Sequence, residues 1–401
     1  MFSLKGRVSG MNNSIVIAGG GIGGLAAALR CAHAGADVRL YERAPAFTEV
    51  GAGIQIGPNV TRILQAWGLD AGLQSVAAYP ELLQVRQAGS GQVTGQLRFG
   101  AEALARYGAP YATIHRADLH QLLLHALHAQ GAVNLNLNQG IDRFSLQNDG
   151  VQVKLDEGLR LNADALVGAD GLWSRVRAQL LGDAPARFSG HLAYRAMLVQ
   201  ADLPAALRSQ DVTVWMGPQL HVVQYPVRRG ELLNVVAIVH GQAPQDLASW
   251  DHSANAADLK RALGPVAPDL QALIDAVPAW RLWPLCDRPP LHSATELAQG
   301  RVALLGDAAH PMRPYMAQGA GMAIEDADAL GRCLAMTGTD LPTQLAQYAQ
   351  LRWQRNARVQ QRAIRNGQIF HASGLMGWGR DAAMRLLGQK VMDVPWLYKG
   401  P

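Results

Sequence analysis

Lysine is nearly missing from this chain of 401 residues: 36 basic residues include only five lysines, so arginine carries the basic charge. No block of like charge occurs, and the net charge of +5 is spread along the chain. That excludes a nucleic-acid-binding tail and fits attraction of small anions better than grip on a polyanion. Cysteine is scarce as well, with Cys31, Cys286 and Cys333 the full set. The odd number and the lack of CxxC or metal-knuckle spacing exclude a disulfide framework; three buried thiols in a reduced, cytoplasmic protein are expected. No hydrophobic run is long enough to cross a membrane. The uncharged stretch from Val8 to Leu29 comes nearest, but it holds six glycines and two asparagines, and its apolar run Ser14–Ile17 is only strand-length. A soluble protein is expected, with residues 1–10 a loose arm before Met11. Aromatics reach only 6% and charged residues 17%, yet 49% of the chain is apolar, which excludes a disordered or collagenous chain.

Glycine is plentiful at 42 residues, implying many tight turns and close backbone approaches. The length favours two domains. Ser14–Ala18 reads as a buried strand, Gly23–His33 as a helix, and Ala36–Tyr41 as a second strand, together a βαβ unit. Residues 117–130 read as a helix entered from Arg116. Leu161–Ala169 reads as a strand leading to Asp170-Gly171, followed by a helix from Ser174 to Leu181. From about 186 to 290, strand patterns dominate (Val212–Met216, His221–Pro226, Leu232–Val239), interrupted by helical sequence over Pro244–Pro278. Arg301–Leu305 returns to the buried-strand pattern, and helices are expected over Gly319–Met336 and Leu341–Phe370. The fold class expected is α/β. A discontinuous Rossmann-like nucleotide domain (residues 11–80, 106–185 and 290–335) accepts an inserted, mainly antiparallel sheet (81–105 and 186–289), and a helical region follows (336–401).

The chemistry starts at Gly19-Gly20-Gly21-Ile22-Gly23-Gly24, which fits GxGxxG with Gly19, Gly21 and Gly24 in the three slots. It joins a strand to a helix, and Glu42 lies 18 residues beyond Gly24 at the end of the next strand. The glycines allow a tight turn, close approach of a pyrophosphate and helix–strand packing. The helix N-terminus favours phosphate charge, and Glu42 can accept ribose hydroxyls. An ordinary glycine turn is the bland alternative, and the pattern alone does not separate NAD from FAD.

Two later segments bear on that choice. Ala165-Leu166-Val167-Gly168-Ala169-Asp170-Gly171 and Val302 through Gly306-Asp307-Ala308-Ala309-His310-Pro311 resemble the DG and GD fingerprints of the group A flavoprotein aromatic hydroxylases. The resemblance runs through Gly51-Ala52-Gly53-Ile54-Gln55, Ile114-His115-Arg116-Ala117-Asp118-Leu119, Trp283-Pro284-Leu285 and Met316–Ala327, covering nearly the whole chain from residue 14. Within that family the chain looks most like the salicylate, 3-hydroxybenzoate and 6-hydroxynicotinate hydroxylases. The likeness implies the p-hydroxybenzoate hydroxylase fold, bound FAD, and NADH or NADPH as a transient co-substrate. It also implies O2 addition at flavin C4a, with OH passing from the hydroperoxide to a ring carbon.

Site roles follow by the same likeness. Gly19, Gly21, Ile22, Gly24, Glu42 and Arg43 would hold the nucleotide. Gly53, Gln55, Arg116 and Asp307 would hold the flavin's ribityl side, and Asp170 both FAD and nicotinamide. Gly319 and Ala320, opening a helix, would aim amides at the flavin N1–C2=O edge. On the inserted sheet, a period of two puts His221 and Tyr225 on one face with Val223. A histidine in that place in the resembling enzymes takes the proton of the substrate's ring hydroxyl; a structural sheet histidine is the alternative. Tyr194, Arg195, Tyr315 and Pro314 are further candidate substrate contacts, and Arg195 can meet a substrate carboxylate by a bidentate pair or, equally, an acidic side chain of the protein. Gln55, Tyr194 and Tyr315 stand where 6-hydroxynicotinate hydroxylases carry His, and Pro314 where 3-hydroxybenzoate 6-hydroxylases carry Gln, so the ring substrate stays open. His310 is expected to shape its loop rather than to catalyse. The arginine stripe 352, 355, 358, 362 and 365 reads as a solvated or internally paired helix face, with a docking surface for the NAD(P)H phosphates the alternative.

The function expected is FAD-dependent hydroxylation of a small hydroxylated aromatic or N-heteroaromatic acid by a cytoplasmic protein. No nucleic-acid or membrane partner is expected, and family analogy implies a homodimer. A dehydrogenase with NAD in the glycine loop is one alternative and leaves Gly306-Asp307 unexplained. A non-hydroxylating flavin-binding protein is the other.

Overall fold

A computed structural model describes residues 13–47, 52–131, 133–247, 252–254 and 256–401. The arm at residues 1–10 and Gly51 of the resembling motif lie outside them. Two sheets carry the molecule. The first has six strands in the order Ala298–Gln299, Val302–Leu304, Ala165–Gly168, Ser14–Ala18, Asp37–Tyr41 and Val133–Asn136, all parallel except the first pair. Its three central strands are buried on both faces, as crossover helices require. Ile15, Val16 and Ile17 are fully buried, and the helices Ile22–His33 and Gly319–Leu334 close against them.

The second sheet has eight strands, in the order 252–254, Trp280–Asp287, Arg187–Val199, Leu232–His240, Leu220–Val227, Val212–Gly217, Leu82–Gln87 and Val93–Arg98. Every pairing is antiparallel except Val212–Gly217 with Leu82–Gln87. One face packs on the helices Ala256–Leu263 and Pro268–Asp275 through Val222, Val235, Leu259 and Leu270. The other face turns toward the parallel sheet and the long helix Leu341–Phe370. A short ribbon, Gly53–Ile56 with Ala112–His115, bridges the two layers. A Cβ on Gly53 would stand 2.7 Å from Asn234 and Tyr225, so only glycine allows this approach.

The structure corrects one element. The apolar run 161–169 is two strands, not one, because Asp164 turns the chain out of line. Arg160–Ala163 joins a separate three-stranded sheet, and Ala165–Gly168 enters the parallel one. The Asp164 carboxylate accepts from the Ser14 amide at 2.8 Å, which fixes the break. All three cysteines are free and buried, and burial pushes Cys31 up to about 12. Among the described residues no helix is long and apolar enough to cross a membrane.

Candidate active site

The glycine loop closes tightly. Gly19 has φ +99, and a Cβ there would sit 2.5 Å from the Ala169 carbonyl oxygen. A Cβ on Gly24 would sit 1.9 Å from the Gly19 carbonyl oxygen, a clash no rotamer relieves. Gly21 caps the helix beginning at Ile22 with no side-chain hydrogen bond and with open space around its Cβ position. The helix therefore presents free amides to an open surface, the arrangement a pyrophosphate requires. Glu42 takes hydrogen bonds from the Gly20 amide at 2.6 Å and the Ala44 amide at 2.8 Å, which hold its carboxylate beside the loop. Arg43 is exposed just beyond it. Asp170 is engaged in capping: its carboxylate accepts from Ser174 Oγ at 2.5 Å and the Arg175 amide at 2.8 Å, and burial raises its pKa.

A cavity of about 240 Å³ lies between the two sheets. Arg116, Asp307, Gln318, Gly319 and Ala320 form the wall toward the nucleotide end, with Pro314 at the rim. Asp307 opens onto the cavity but is otherwise enclosed by protein; desolvation raises its pKa, and His310 and Arg116 oppose the rise. The helix Gly319–Leu334 starts with no side-chain cap, so its first amides face this wall unsatisfied. Ala317 supplies the bend with a left-handed φ of 51°, a strained conformation for a residue with a Cβ. Uncapped amides at one end and a clash-free glycine cradle at the other fit a flavin dinucleotide, whose two charged regions are its pyrophosphate and its reduced ring edge.

The cavity floor is the inner face of the eight-stranded sheet. Cross-strand pairing puts Trp283, Ala193, Ile238 and His221 in one row, and Arg195, Val236 and Val223 in the next. Arg195 lays its guanidinium over the Trp283 ring, 3.9 Å from the centroid. Its Nε has no hydrogen-bond partner, and no carboxylate pairs with it among the described residues. Desolvation lowers its pKa to about 10, with Tyr225 opposing and Arg116 reinforcing, so it stays protonated near neutrality. Tyr225 is buried beside Gln55, and burial raises its hydroxyl pKa although Arg195 and Gln55 pull the other way. Gln55 accepts from the Tyr111 hydroxyl at 2.6 Å.

His221, 2% exposed, has Nδ1 2.8 Å from His371 Nε2. Burial, then the neighbouring His191, lowers its pKa to about 3, so the ring is neutral at ordinary pH. Tyr315 does not line the floor. It stands behind His221, ring centroids 5.1 Å apart, and its hydroxyl bonds His191 Nδ1. Tyr194 is a correction: its side chain lies on the opposite face of the sheet, against Trp280 in the outer core. Successive strand residues point to opposite faces, so Tyr194 and Arg195 cannot both reach the cavity.

His310 is fully buried with Nε2 2.5 Å from Asp326, a structural post for the loop. The arginine stripe is partly internal. Arg352 bonds Glu325 and Asp326 at 2.8 and 2.7 Å, and Arg355 bonds Glu325 at 2.6 Å. Reading the sequence missed His371, His191 and His240. His371 caps the long helix, whereas His191 and His240 are direct cross-strand partners. The strand period alone gave no sign that these three would meet.

Comparison with known proteins agrees with this geometry. Residues 12–363 match the family described as FAD binding domain. The chain is 38% identical over 361 residues to the 3-hydroxybenzoate 6-hydroxylase of Polaromonas naphthalenivorans (strain CJ2), covering 90% of this chain and 89% of that protein. It is 37% identical over 349 residues to the 6-hydroxynicotinate 3-monooxygenase of Bordetella bronchiseptica, covering 86% and 89%. The crystal structure of Klebsiella pneumoniae HpxO complexed with FAD and uric acid matches with a TM-score of 0.84 at 27% identity, covering 96% of this chain and 95% of that one. With its glycine cradle, its uncapped second helix and this likeness over nearly its full length, the chain belongs to the FAD-binding family and is an FAD-dependent aromatic monooxygenase.

Proposed function

We propose that the enzyme hydroxylates a small ring acid that also carries a ring hydroxyl, with the carboxylate on Arg195 and the hydroxyl at His221. The observation that carries this reading is the Arg195 guanidinium, enclosed in the cavity wall, stacked on Trp283 and lacking an anionic partner. A charge held this way is costly until an anion joins it, which selects for a carboxylate. Between Arg195 and His221 the floor is Ala193, Ile238 and Val236, a smooth apolar surface on which one aromatic ring can lie flat. Both relatives' names, 3-hydroxybenzoate and 6-hydroxynicotinate, combine a ring hydroxyl with a carboxylate.

The chain's residues divide the work. Gly19, Gly21, Ile22 and Gly24 would receive the pyrophosphate, Glu42 the ribose with Arg43 beside it, and Gly53, Gln55, Arg116, Asp170 and Asp307 would flank the rest of the cofactor. The amides of Gly319 and Ala320, at the start of a helix lining the cavity, would favour negative charge on the flavin ring. Bound FAD, reduced by NAD(P)H, supplies the electrophilic oxygen from O2. His221, neutral at working pH, accepts the proton of the ring hydroxyl, and the phenolate so formed is the electron-rich partner the reaction needs. Tyr225 closes the floor beyond Val223, and its hydroxyl stays protonated as a donor. Apolar walls keep water from the reacting ring carbon. The two-layer division into cofactor and substrate regions is part of this proposal.

The test is a panel of hydroxylated benzoates and pyridine carboxylates, each beside its carboxamide. NADH oxidation and hydroxylated product are measured together on FAD-loaded enzyme. Acids are expected to stimulate oxidation with product formed in step, and amides are not. Equal stimulation by acids and amides, or none by any acid, overturns the assignment.

A further inference from the structure

We propose that His221, His371 and His240 form a proton conduit joining the substrate cavity to bulk water; the inference rests on His221 as the acceptor of the ring-hydroxyl proton. A base buried to this degree cannot discharge its proton to solvent directly, so turnover requires an exit. The atoms line up for one. His221 Nδ1 lies 2.8 Å from His371 Nε2, and His371 Nδ1 lies 2.9 Å from His240 Nε2. His221 and His371 are buried, whereas His240 is exposed. Each link enters an imidazole at one nitrogen and leaves at the other, which is what relay through the ring demands.

The proton count closes. With each ring neutral and its hydrogen on Nδ1, the hydroxyl proton passes to His221 Nε2 and the His221 Nδ1 proton to His371 Nε2. The His371 Nδ1 proton then passes to His240 Nε2, and the His240 Nδ1 proton to water. The substrate becomes a phenolate and one hydronium is released. One proton travelling back to the ring product resets every tautomer. The backbone holds the row in register: the Gln219 amide donates to the His371 carbonyl at 3.1 Å, and the His240 amide donates to the Gln219 carbonyl at 3.3 Å.

The charged and titratable neighbours favour neutral rings. Arg380, which donates to the Phe370 carbonyl at 2.8 Å, adds positive charge beside His371, and Arg313 does so beside His191. Tyr315 occupies His191 Nδ1, which keeps that ring beside the row without a link in it. Nitrogens of His191, His240 and His371 fall within 4.8 Å of one another, but the closest pair is tighter than a tetrahedral centre holds its ligands. His371 Nδ1 and His240 Nε2, at 2.9 Å, are closer than the ~3.3 Å separating two imidazole ligands ~2.0 Å from a tetrahedral ion. A shared hydrogen fits that distance.

The experiment uses FAD-loaded enzyme and 3-hydroxy-4-nitrobenzoate, whose phenol ionisation is visible by absorbance, mixed in a stopped-flow instrument below the probe's own phenol pKa. His240→Gln, His371→Gln and His221→Gln are compared with the unaltered enzyme, and affinity is measured separately with the probe's methyl ether. A glutamine fills the space and hydrogen-bonds but does not relay. His240→Gln and His371→Gln are expected to slow ionisation by about tenfold or more with ether affinity unchanged. Free imidazole is expected to restore rate to His240→Gln, whose gap opens to solvent. Should His371→Gln misfold, the surface variant His240→Gln decides alone. If both variants ionise the probe within about twofold of the unaltered rate while His221→Gln is slow, the conduit is refuted and the base assignment stands. If His221→Gln is also unimpaired, the base assignment itself fails.

Discussion

Replacing Arg195 with methionine separates what the residue does for the fold from what it does for the substrate. Its guanidinium is enclosed without an anionic partner, and desolvation pulls its pKa from the ordinary 12.5 down to about 10. A fall of that size corresponds to a cost of about 3 kcal/mol. Water in the open cavity relieves part of this, and loss of the contact with Trp283 forfeits about 1 kcal/mol. Arg195→Met is therefore expected to stabilise the ligand-free holoenzyme by about 1–2 kcal/mol, raising its thermal midpoint by a few degrees. The same change leaves a substrate carboxylate desolvated and unpaired, which costs about 3–5 kcal/mol. That lowers kcat/KM for the acid by about 10²–10⁴-fold, mainly through KM, and spares the carboxamide. Calorimetry on holoenzyme and steady-state kinetics with the acid–amide pair read both effects. A lower midpoint together with unchanged acid kinetics would make Arg195 a structural residue and refute the reasoning.

Two further outcomes follow from the same geometry. His191, His221 and His371 have folded-state pKa values below the ordinary 6.5, about 4 for His191 and about 3 for His221, with burial the main cause in each. Their neutral rings thus stabilise the fold fully above pH 6.5, and this contribution drains away as pH falls toward those values, by up to about 1.4 kcal/mol per unit for each ring. Thermal midpoints from pH 8 to 5 should fall, and less steeply in His371→Gln; identical slopes would contradict the burial of neutral rings. Gly24→Ala forces a Cβ to 1.9 Å from the Gly19 carbonyl and should yield protein without flavin absorbance; a normally yellow variant would show that the loop can relax.

Legibility in the sequence followed the range over which each constraint acts. The glycine cradle was readable because a pyrophosphate is bound by neighbours in sequence: Gly19, Gly21 and Gly24 must fall at fixed spacing whatever the remainder of the chain does. The shared face of His221 and Tyr225 was readable because a strand alternates. The same alternation could not say which face met the cavity, so Tyr194 and Arg195 both looked eligible until packing put Tyr194 against Trp280. Asp164 hid a boundary because the apolar pattern runs on past it while the backbone does not. The histidine row was unreadable: His371 ends a helix of 30 residues, and only tertiary packing brings it to the mouth of two strands.

Arg352 and Arg195 show how one residue type takes opposite roles from its surroundings. Arg352 is 1% exposed, yet its donors meet Glu325, Asp326 and Asn356, and those carboxylates hold its pKa above the ordinary value despite burial. Nothing is left for a ligand to complete, and the network locks the long helix onto the helix whose N-terminus faces the cavity. Arg195 has the complementary character, an aromatic face beneath it, an unpartnered Nε, and a pKa pulled down instead of up. A fold that matches the fully enclosed Arg352 on every side can hold the unmatched charge of Arg195 at modest cost to its stability. That unmatched charge lies where an anionic ring substrate would enter, in the cross-strand row next to a neutral histidine that can take the ring's proton. On the proposed assignment, carboxylate selection and phenol activation are two ends of one short floor, and a substrate that satisfies both lies flat between them.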